Sequence, residues 1–173
     1  MDPGRFDALV AAHHSEIYRY LLRATSRGSE ADDLAQETFL RAYRAHQTLA
    51  PDANARAWLF TIATNVAKNH FRAESRRRRA HTAVRATLSP TDGAEPESET
   101  LFNEARARLD AVVAALPLKQ RLAFTMRKVH DLEYDAIARS LGCSAESARA
   151  HVFQALKKIR VSLNGHALPP GEC

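Results

Sequence analysis

Apolar residues recur along this chain mostly with the period of an α-helix. Phe6, Leu9, Val10, Ile17, Leu21 and Leu22 make a first amphipathic stripe that breaks at "SRGS". The pattern restarts at Ser29, which stands three residues before Asp32 in a capping-box arrangement, and predicts a second helix to about His46. Leu34, Ala35, Thr38, Phe39 and Ala42 are its core-facing set. "QTLAPDAN" is a loop signal with Asn54 placed as an N-cap, and a third helix follows from Ala55 to about Arg79 with Leu59, Ile62, Ala63 and Val66 as its core stripe. Periodicity stops between about Ala80 and Ser98. It resumes in four segments, 99–116, 118–129, 133–141 and 145–163, before a loop tail. Strand-like alternation is nearly absent. The expected fold is all-α: two small helical domains, 1–79 and 99–163, joined by a linker at 80–98, with a tail at 164–173.

The linker reading rests on composition. "TLSPTDGAEPESE" holds two prolines, one glycine and four acidic residues without a Lys or Arg, which predicts a flexible acidic connection. The whole chain is basic instead, 25 Lys and Arg against 20 Asp and Glu, a net charge of +5 and a pI near 9.6. That balance favours a polyanionic partner without choosing between nucleic acid and an anionic membrane surface. Two cysteines, Cys143 and Cys173, make neither a disulfide framework nor a zinc pattern. "MDPGRFDALV" lacks the signature of a secretory leader, and no run approaches a membrane span. The expectation is a cytoplasmic, reduced protein with no membrane insertion, and with Cys143 in a packing role.

"YDAIARSLGCSAESARAHVFQALKKIR" reads as two helices around a tight turn. Ile137, Ala138 and Leu141 face a core, Gly142 supplies the positive φ of the turn, and Ser144 caps the next helix. There Ala148, Val152, Ala155 and Ile159 share one side. Glu146, Ala150, Phe153 and Lys157 share the other, flanked by Arg149 and Gln154. That outer mix suits a recognition helix, since Arg pairs with guanine, Gln with adenine, and an aromatic ring or Ala meets a thymine methyl. The alternative is a plain three-helix bundle with a polar outside, against which Phe153 counts because it lies off the apolar stripe.

On the second helix Asp33, Gln36, Glu37 and Leu40 share a face with Arg44. A basic protein that keeps a carboxylate and leucine stripe presents a surface for another protein, one rich in arginine. Acids near a helix N-terminus also favour the dipole, which covers Glu30, Asp32 and Asp33 but not Glu37 beside apolar Leu40. A metal site at Asp33 and Glu37 lacks a completing histidine on this helix.

The third helix carries Trp58, Asn65, Lys68, Asn69, Arg72 and Arg76 beside its core stripe: an aromatic, then amides, then cations. An indole can stack on a base, a carboxamide can read a base edge, and cations can hold phosphates, a combination suited to single-stranded or melting DNA. The "RRRR" run alone supplies only salt-sensitive, sequence-blind affinity.

Together these features resemble the extracytoplasmic-function sigma factors, bacterial subunits that direct RNA polymerase to promoters. "DDLAQETFLRAYRA" looks like the family's polymerase-binding helix and "RAWLFTIATNVAKNHFR" like its promoter-melting segment. "LPLKQRLAFTMRKVHDLEYDAIARSLGCSAESARAHVFQALKKIR" is similar to its C-terminal domain. The resemblance implies that Asp33, Gln36, Glu37 and Leu40 meet the clamp of the largest polymerase subunit, with the flap of the second subunit as a further contact. It implies that the loop from Leu49 to Asn54 takes a flipped base of the −10 element, with Trp58, Asn65, Lys68, Asn69, Arg72 and Arg76 alongside. It assigns the duplex −35 element to Ser144, Glu146, Arg149, Ala150, His151, Phe153, Gln154 and Lys157. It implies an anti-sigma factor as regulator, a linker threaded toward the RNA exit channel, and no cofactor. Leu49 stands where family members often have an aromatic, and His151 and Gln154 stand where they often have arginine.

Two other functions fit parts of the chain. A free-standing helix-turn-helix regulator explains the C-terminal half and leaves the acidic stripe and the tryptophan helix idle. An enzyme using His13, His14 and nearby carboxylates has no phosphate loop, nucleophile motif or HExxH pattern behind it.

Overall fold

The computed structural model describes residues 3–82 and 101–165. Most of the acidic linker, and the tail beyond Gly165 with Cys173, lie outside the described residues. Among the described residues seven α-helices follow in order: α1 (Pro3–Thr25), α2 (Gly28–Ala45), α3 (Ala55–Thr82), α4 (Leu101–Ala114), α5 (Leu118–Phe124), α6 (Tyr134–Leu141) and α7 (Ala145–Asn164). A 3₁₀ turn, His46–Thr48, follows α2, and a π-turn, Thr125–Val129, continues α5. Among the described residues there is no strand.

In the N-terminal half, α1 packs along α2 and α3. Ile17, Tyr20, Leu21 and Ala24, at helical spacing, are fully or almost fully buried, as are Leu34, Ala35, Phe39 and Ala42 of α2. Small residues at Ala31, Ala42, Ala63 and Ala67 let the three axes approach closely. The one polar pair at the centre is satisfied internally, Tyr20 Oη to Thr64 Oγ1 at 2.8 Å. Burial holds the Tyr20 phenol far above its ordinary range, so it stays protonated.

The capping box expected at Ser29 does not form. Gly28 already lies in α2, Arg27 takes the N-cap position, and no side chain caps the helix. The turn is closed instead by Ser26, at φ +60°, and by Thr25 Oγ1, which accepts from Arg27 N at 3.3 Å. With the turn shaped upstream, Ser29 falls inside the first helical turn and is exposed. Asn54 does cap α3, its Oδ1 accepting from Ala57 N at 2.9 Å.

In the C-terminal half, α5 to α7 form the helix-turn-helix unit. Gly142 takes φ +69° in the turn, and Cys143 N reaches back to Ala138 O at 3.0 Å. Ser144 Oγ accepts from Ser147 N at 3.1 Å, the N-cap of α7. Ala148, Val152, Ala155 and Ile159 are buried as the spacing requires, with Val113 of α4 and Leu116 of the turn after it packed with Ala155 and Ile159. Cys143 is half-buried and packs against the main core.

The two halves are not separate in this structure. One continuous cluster of buried side chains runs from Ile17 and Phe60 through Leu122 and Met126 to Ile137 and Val152, and α6 lies on α3. That explains why α3 buries more than the single stripe its pattern suggests: Phe60, Thr64 and Ala67 are buried as well as Leu59, Ala63 and Val66, while Ile62 is half-buried. The apolar seam stabilises this arrangement by about 25 cal/mol per Å² removed from water. An exposed bridge such as Arg23 to Asp110, at 3.0 Å between α1 and α4, adds only about 0.2–1 kcal/mol. Apolar contact therefore supplies the attraction, and polar contacts fix the register.

Candidate nucleic-acid interface

On α3 the edge anticipated from sequence is present but unevenly open. Asn65, Asn69, Arg72 and Arg76 are exposed, and Trp58 is half-buried against the core. Lys68 is drawn to the other side: its Nζ donates to the backbone O of Leu141 at 3.2 Å, across the seam to the end of α6. Thr61 Oγ1 and Ser140 Oγ meet there at 3.1 Å. The C-terminal half thus borders the stripe and covers one flank of it. The loop before α3 is open, with Pro51 to Asn54 exposed and Leu49 half-buried. Asn54 has its carboxamide oxygen committed to the cap, leaving its NH₂ free to donate.

On α7 the outward set is clear of the protein. Glu146, Arg149, Ala150, Phe153, Gln154 and Lys157 are all exposed, Phe153 at 65%. A ring that exposed contributes little to the core and is available for contact from outside. Arg149 is propped over the Tyr134 ring, 5.1 Å from its centroid, a support from α6 that one helix's periodicity does not reveal. His151 is half-buried, and burial together with the nearby Lys119 charge pushes its imidazole below the ordinary range, so at neutral pH it acts as an uncharged hydrogen-bonding group. The Ser144 hydroxyl is taken up by the helix cap and by the Ser147 hydroxyl at 2.9 Å.

On α2, Asp33, Gln36 and Leu40 are exposed and Glu37 is half-buried, its Oε1 2.6 Å from Arg41 Nε one turn on. The face continues further than the sequence indicated. Tyr43 is 57% exposed, set edge-on to Phe6, and a shallow groove of about 370 Å³ runs beside Gln36 and Leu40 between α1 and α2, floored by Phe6, Val10 and Phe39. Tyr43 lies on the groove's flank, one turn beyond Leu40 and two beyond Gln36, so helical spacing already sets it beside them, and its edge-on contact with Phe6 ties it to α1.

A third polar feature lies between the halves. Arg56 Nε donates to both carboxylate oxygens of Glu16, at 3.1 and 3.0 Å, and its Nη2 donates to the backbone O of His130. His130 Nδ1 lies 3.3 Å from Glu16 Oε1. Burial alone would raise the Glu16 carboxyl, but the hydrogen bonds and charges of Arg56 and His130 together outweigh it and hold it below its ordinary range. Burial pushes His130 down, against the pull of Glu16. Opposite the seam, Arg121 reaches from α5 to the backbone O of Ala24 at the end of α1, and to Leu116 O at 3.1 Å. Among the described residues no group of three His, Cys, Asp or Glu converges as a metal site would require, and no helix is long and apolar enough to cross a membrane.

An all-helical protein with an exposed polar and aromatic face on the second helix of a helix-turn-helix in one half, and an aromatic, amide and cation edge beside an acidic and leucine face in the other, has the organisation of a sigma-type transcription initiation factor. The comparisons agree. Residues 9–77 match the profile of Sigma-70 region 2, and residues 106–159 match that of Sigma-70, region 4. The chain is 34% identical over 169 residues to the RNA polymerase sigma-H factor of Pseudomonas aeruginosa, covering 94% of this chain and 88% of that protein. It is 30% identical over 165 residues to the ECF RNA polymerase sigma-E factor of Escherichia coli K12, covering 91% and 86%. The chain belongs to the extracytoplasmic-function sigma factors of the sigma-70 family.

The fold agrees too. The sigma factor RpoE of Bartonella quintana, solved in complex with the anti-sigma factor NepR, superposes with a TM-score of 0.75 at 20% identity, over 94% of this chain and 98% of that one. CnrH, solved in complex with the cytosolic domain of CnrY, gives 0.70 at 20% identity, over 96% and 92%.

Proposed function

We propose that this sigma factor distributes its work over three faces, each traceable to side chains described above. The α2 face of Asp33, Gln36, Glu37 and Leu40, extended by Tyr43 and the Phe6 groove, docks core RNA polymerase at the clamp of its largest subunit. The loop from Leu49 to Asn54 and the α3 edge of Trp58, Asn65, Lys68, Asn69, Arg72 and Arg76 hold and unpair the −10 element. The α7 face with Arg149, Ala150, Phe153, Gln154 and Lys157 reads the −35 element as duplex. Glu146 and His151 border that face, and Ser144 acts at one remove, by capping the helix that carries the readers. The observation that supports this reading is that an exposed acidic and leucine face and two chemically different polar, basic and aromatic faces coexist in one chain. A free-standing regulator needs only α7.

An anti-sigma factor is the partner expected to restrain the protein. One structural neighbour, RpoE, was captured with the anti-sigma factor NepR, and another, CnrH, with the cytosolic domain of CnrY, and the α2 groove offers an apolar seat for a helix. The protein acts in the cytoplasm, where its polymerase and promoters are, and needs no catalytic activity of its own.

The test is to mix the protein with core RNA polymerase and map the transcripts selected. Start sites sharing a pair of upstream elements support the reading; no complex, or no shared elements, overturns it. Glu37→Lys isolates the docking face. It should abolish polymerase binding while the helical circular dichroism is unchanged, and retained binding would remove the stripe from the assignment.

A further inference from the structure

The seam between the two halves has one charged cluster at its heart, and its members come from opposite sides. Glu16 (α1) and Arg56 (α3) belong to the N-terminal half; His130, in the turn before α6, belongs to the C-terminal half. Arg56 spans both oxygens of Glu16 and donates to the His130 carbonyl, while the His130 ring shares Glu16 Oε1 through Nδ1. The ring is 7% exposed and lies against Phe60 and Tyr20, at centroid distances of 5.1 and 5.9 Å.

A neutral imidazole fits this place. With its proton on Nδ1 it donates to Glu16, and its bare Nε2, a buried acceptor without a donor, costs less unpaired than a charged N–H would. A second proton must sit on Nε2, which is buried and has no hydrogen-bond partner. The new cation would face Arg56 and Arg19, with Glu16 already committed to Arg56. The other carboxylates near the cleft are engaged, Asp131 with Arg127 at 3.3 Å and Asp110 with Arg23 at 3.0 Å and Arg106 at 4.0 Å. The Tyr20 hydroxyl faces Thr64. His13 lies 3.6 Å from Glu16 Oε2 but on the same helix, so it moves with Glu16 when the halves part.

We propose that Glu16, Arg56 and His130 form a latch that holds the free chain closed, and that adding a proton to His130 releases it, freeing α6 from α3 and uncovering the flank of the base-handling edge at Thr61 and Lys68. The functional consequence rests on the promoter-melting role proposed for α3; the latch itself does not. The sign follows from the burial of the ring. In the open form His130 returns to the ordinary imidazole range near 6.5, while in the closed form it lies lower. The latch is therefore fully effective above about pH 6.5 and weakens as the pH falls toward the closed form's range, the ratio of open to closed rising up to about tenfold per pH unit in between.

The experiment uses the full chain with Cys143 and Cys173 changed to Ser and spin labels on Ser29→Cys and Arg160→Cys, both exposed positions on opposite halves. Label distances are measured at pH 7.5 and 5.5, with circular dichroism on the same samples. The expected result is a long-distance population that grows at pH 5.5, by up to about tenfold, with no loss of helix. His130→Gln should lose this pH response, and Glu16→Gln should raise the long-distance population at pH 7.5. Unchanged distances in the parent, an unchanged response in His130→Gln, or lengthening accompanied by loss of helix would each overturn the proposal. No polymerase or promoter enters the measurement, so its failure is separate from failure of the initiation reading.

Discussion

Arg149 offers the sharpest prediction because the proposed reader and its support, the Tyr134 ring, can be removed separately. Truncation to Ala removes the one guanidinium on the outward face of α7 that rests on an aromatic ring, 5.1 Å from the centroid of Tyr134. If Arg149 makes a bidentate contact with a guanine, the loss is about 1–3 kcal/mol, roughly a 5- to 150-fold rise in Kd. The support can be removed on its own by Tyr134→Leu, which keeps an apolar group on the core. This forfeits about 0.5–1 kcal/mol of exposed cation–π attraction and leaves the arginine to be ordered by the DNA, at about 0.5–1.5 kcal/mol. Binding should weaken roughly 5- to 60-fold if both terms are fully expressed, and less where the free Arg already favours its bound rotamer. Tyr134→Phe keeps the ring and should bind normally. Arg127, which shares the ring, is held separately through Leu132 O at 3.1 Å, so Arg149 takes the brunt. The assay is fluorescence anisotropy at fixed salt, with duplexes bearing the −35 element taken from the mapped start sites and scrambled controls. In an Arg149→Ala background Tyr134→Leu should have no further effect. An equal effect in both backgrounds, or a loss for Arg149→Ala that is the same on scrambled DNA, would refute the reasoning.

Two further outcomes are expected. Trp58→Ala and Asn65→Ala should leave polymerase binding intact and reduce promoter opening, read by permanganate reactivity of unpaired thymines in the −10 region; normal opening would take these residues off the melting edge. Ser144→Ala should lower global stability by about 1 kcal/mol through loss of the α7 cap, measured by urea denaturation, since Ser147 N then loses its acceptor.

Much of the fold was legible because most helices here are amphipathic on one side. The spacing of Ala148, Val152, Ala155 and Ile159, and that of Leu34, Thr38 and Phe39, carries their burial directly. Gly142 and Ser144 mark their turn because a left-handed residue and an N-cap have few alternatives. Ser29 misled for a local reason: the turn before α2 is set by Ser26 and Thr25, whose backbone and hydroxyl geometry leaves no mark in a hydrophobic pattern. The second buried side of α3 was hidden because its partners come from distant parts of the chain: Phe60 packs on Tyr20 and His130, and Thr64 meets Tyr20 and Met126. The Glu16, Arg56 and His130 cluster was hidden for the same reason. Its members look like scattered surface charges until the chain is folded, and Tyr134 beneath Arg149 likewise belongs to another helix.

Trp58, the only tryptophan in the chain, is half-buried one helical turn before the α3 residues that meet α6. An indole in that position is a built-in optical gauge. Its emission responds to how much water reaches the start of α3, so the parting of the two halves, the seating of a protein partner and the arrival of an unpaired base should each leave their own signature in the intrinsic fluorescence of the unlabelled protein. The residue proposed to handle the promoter can thus also report, in real time, when that handling becomes possible.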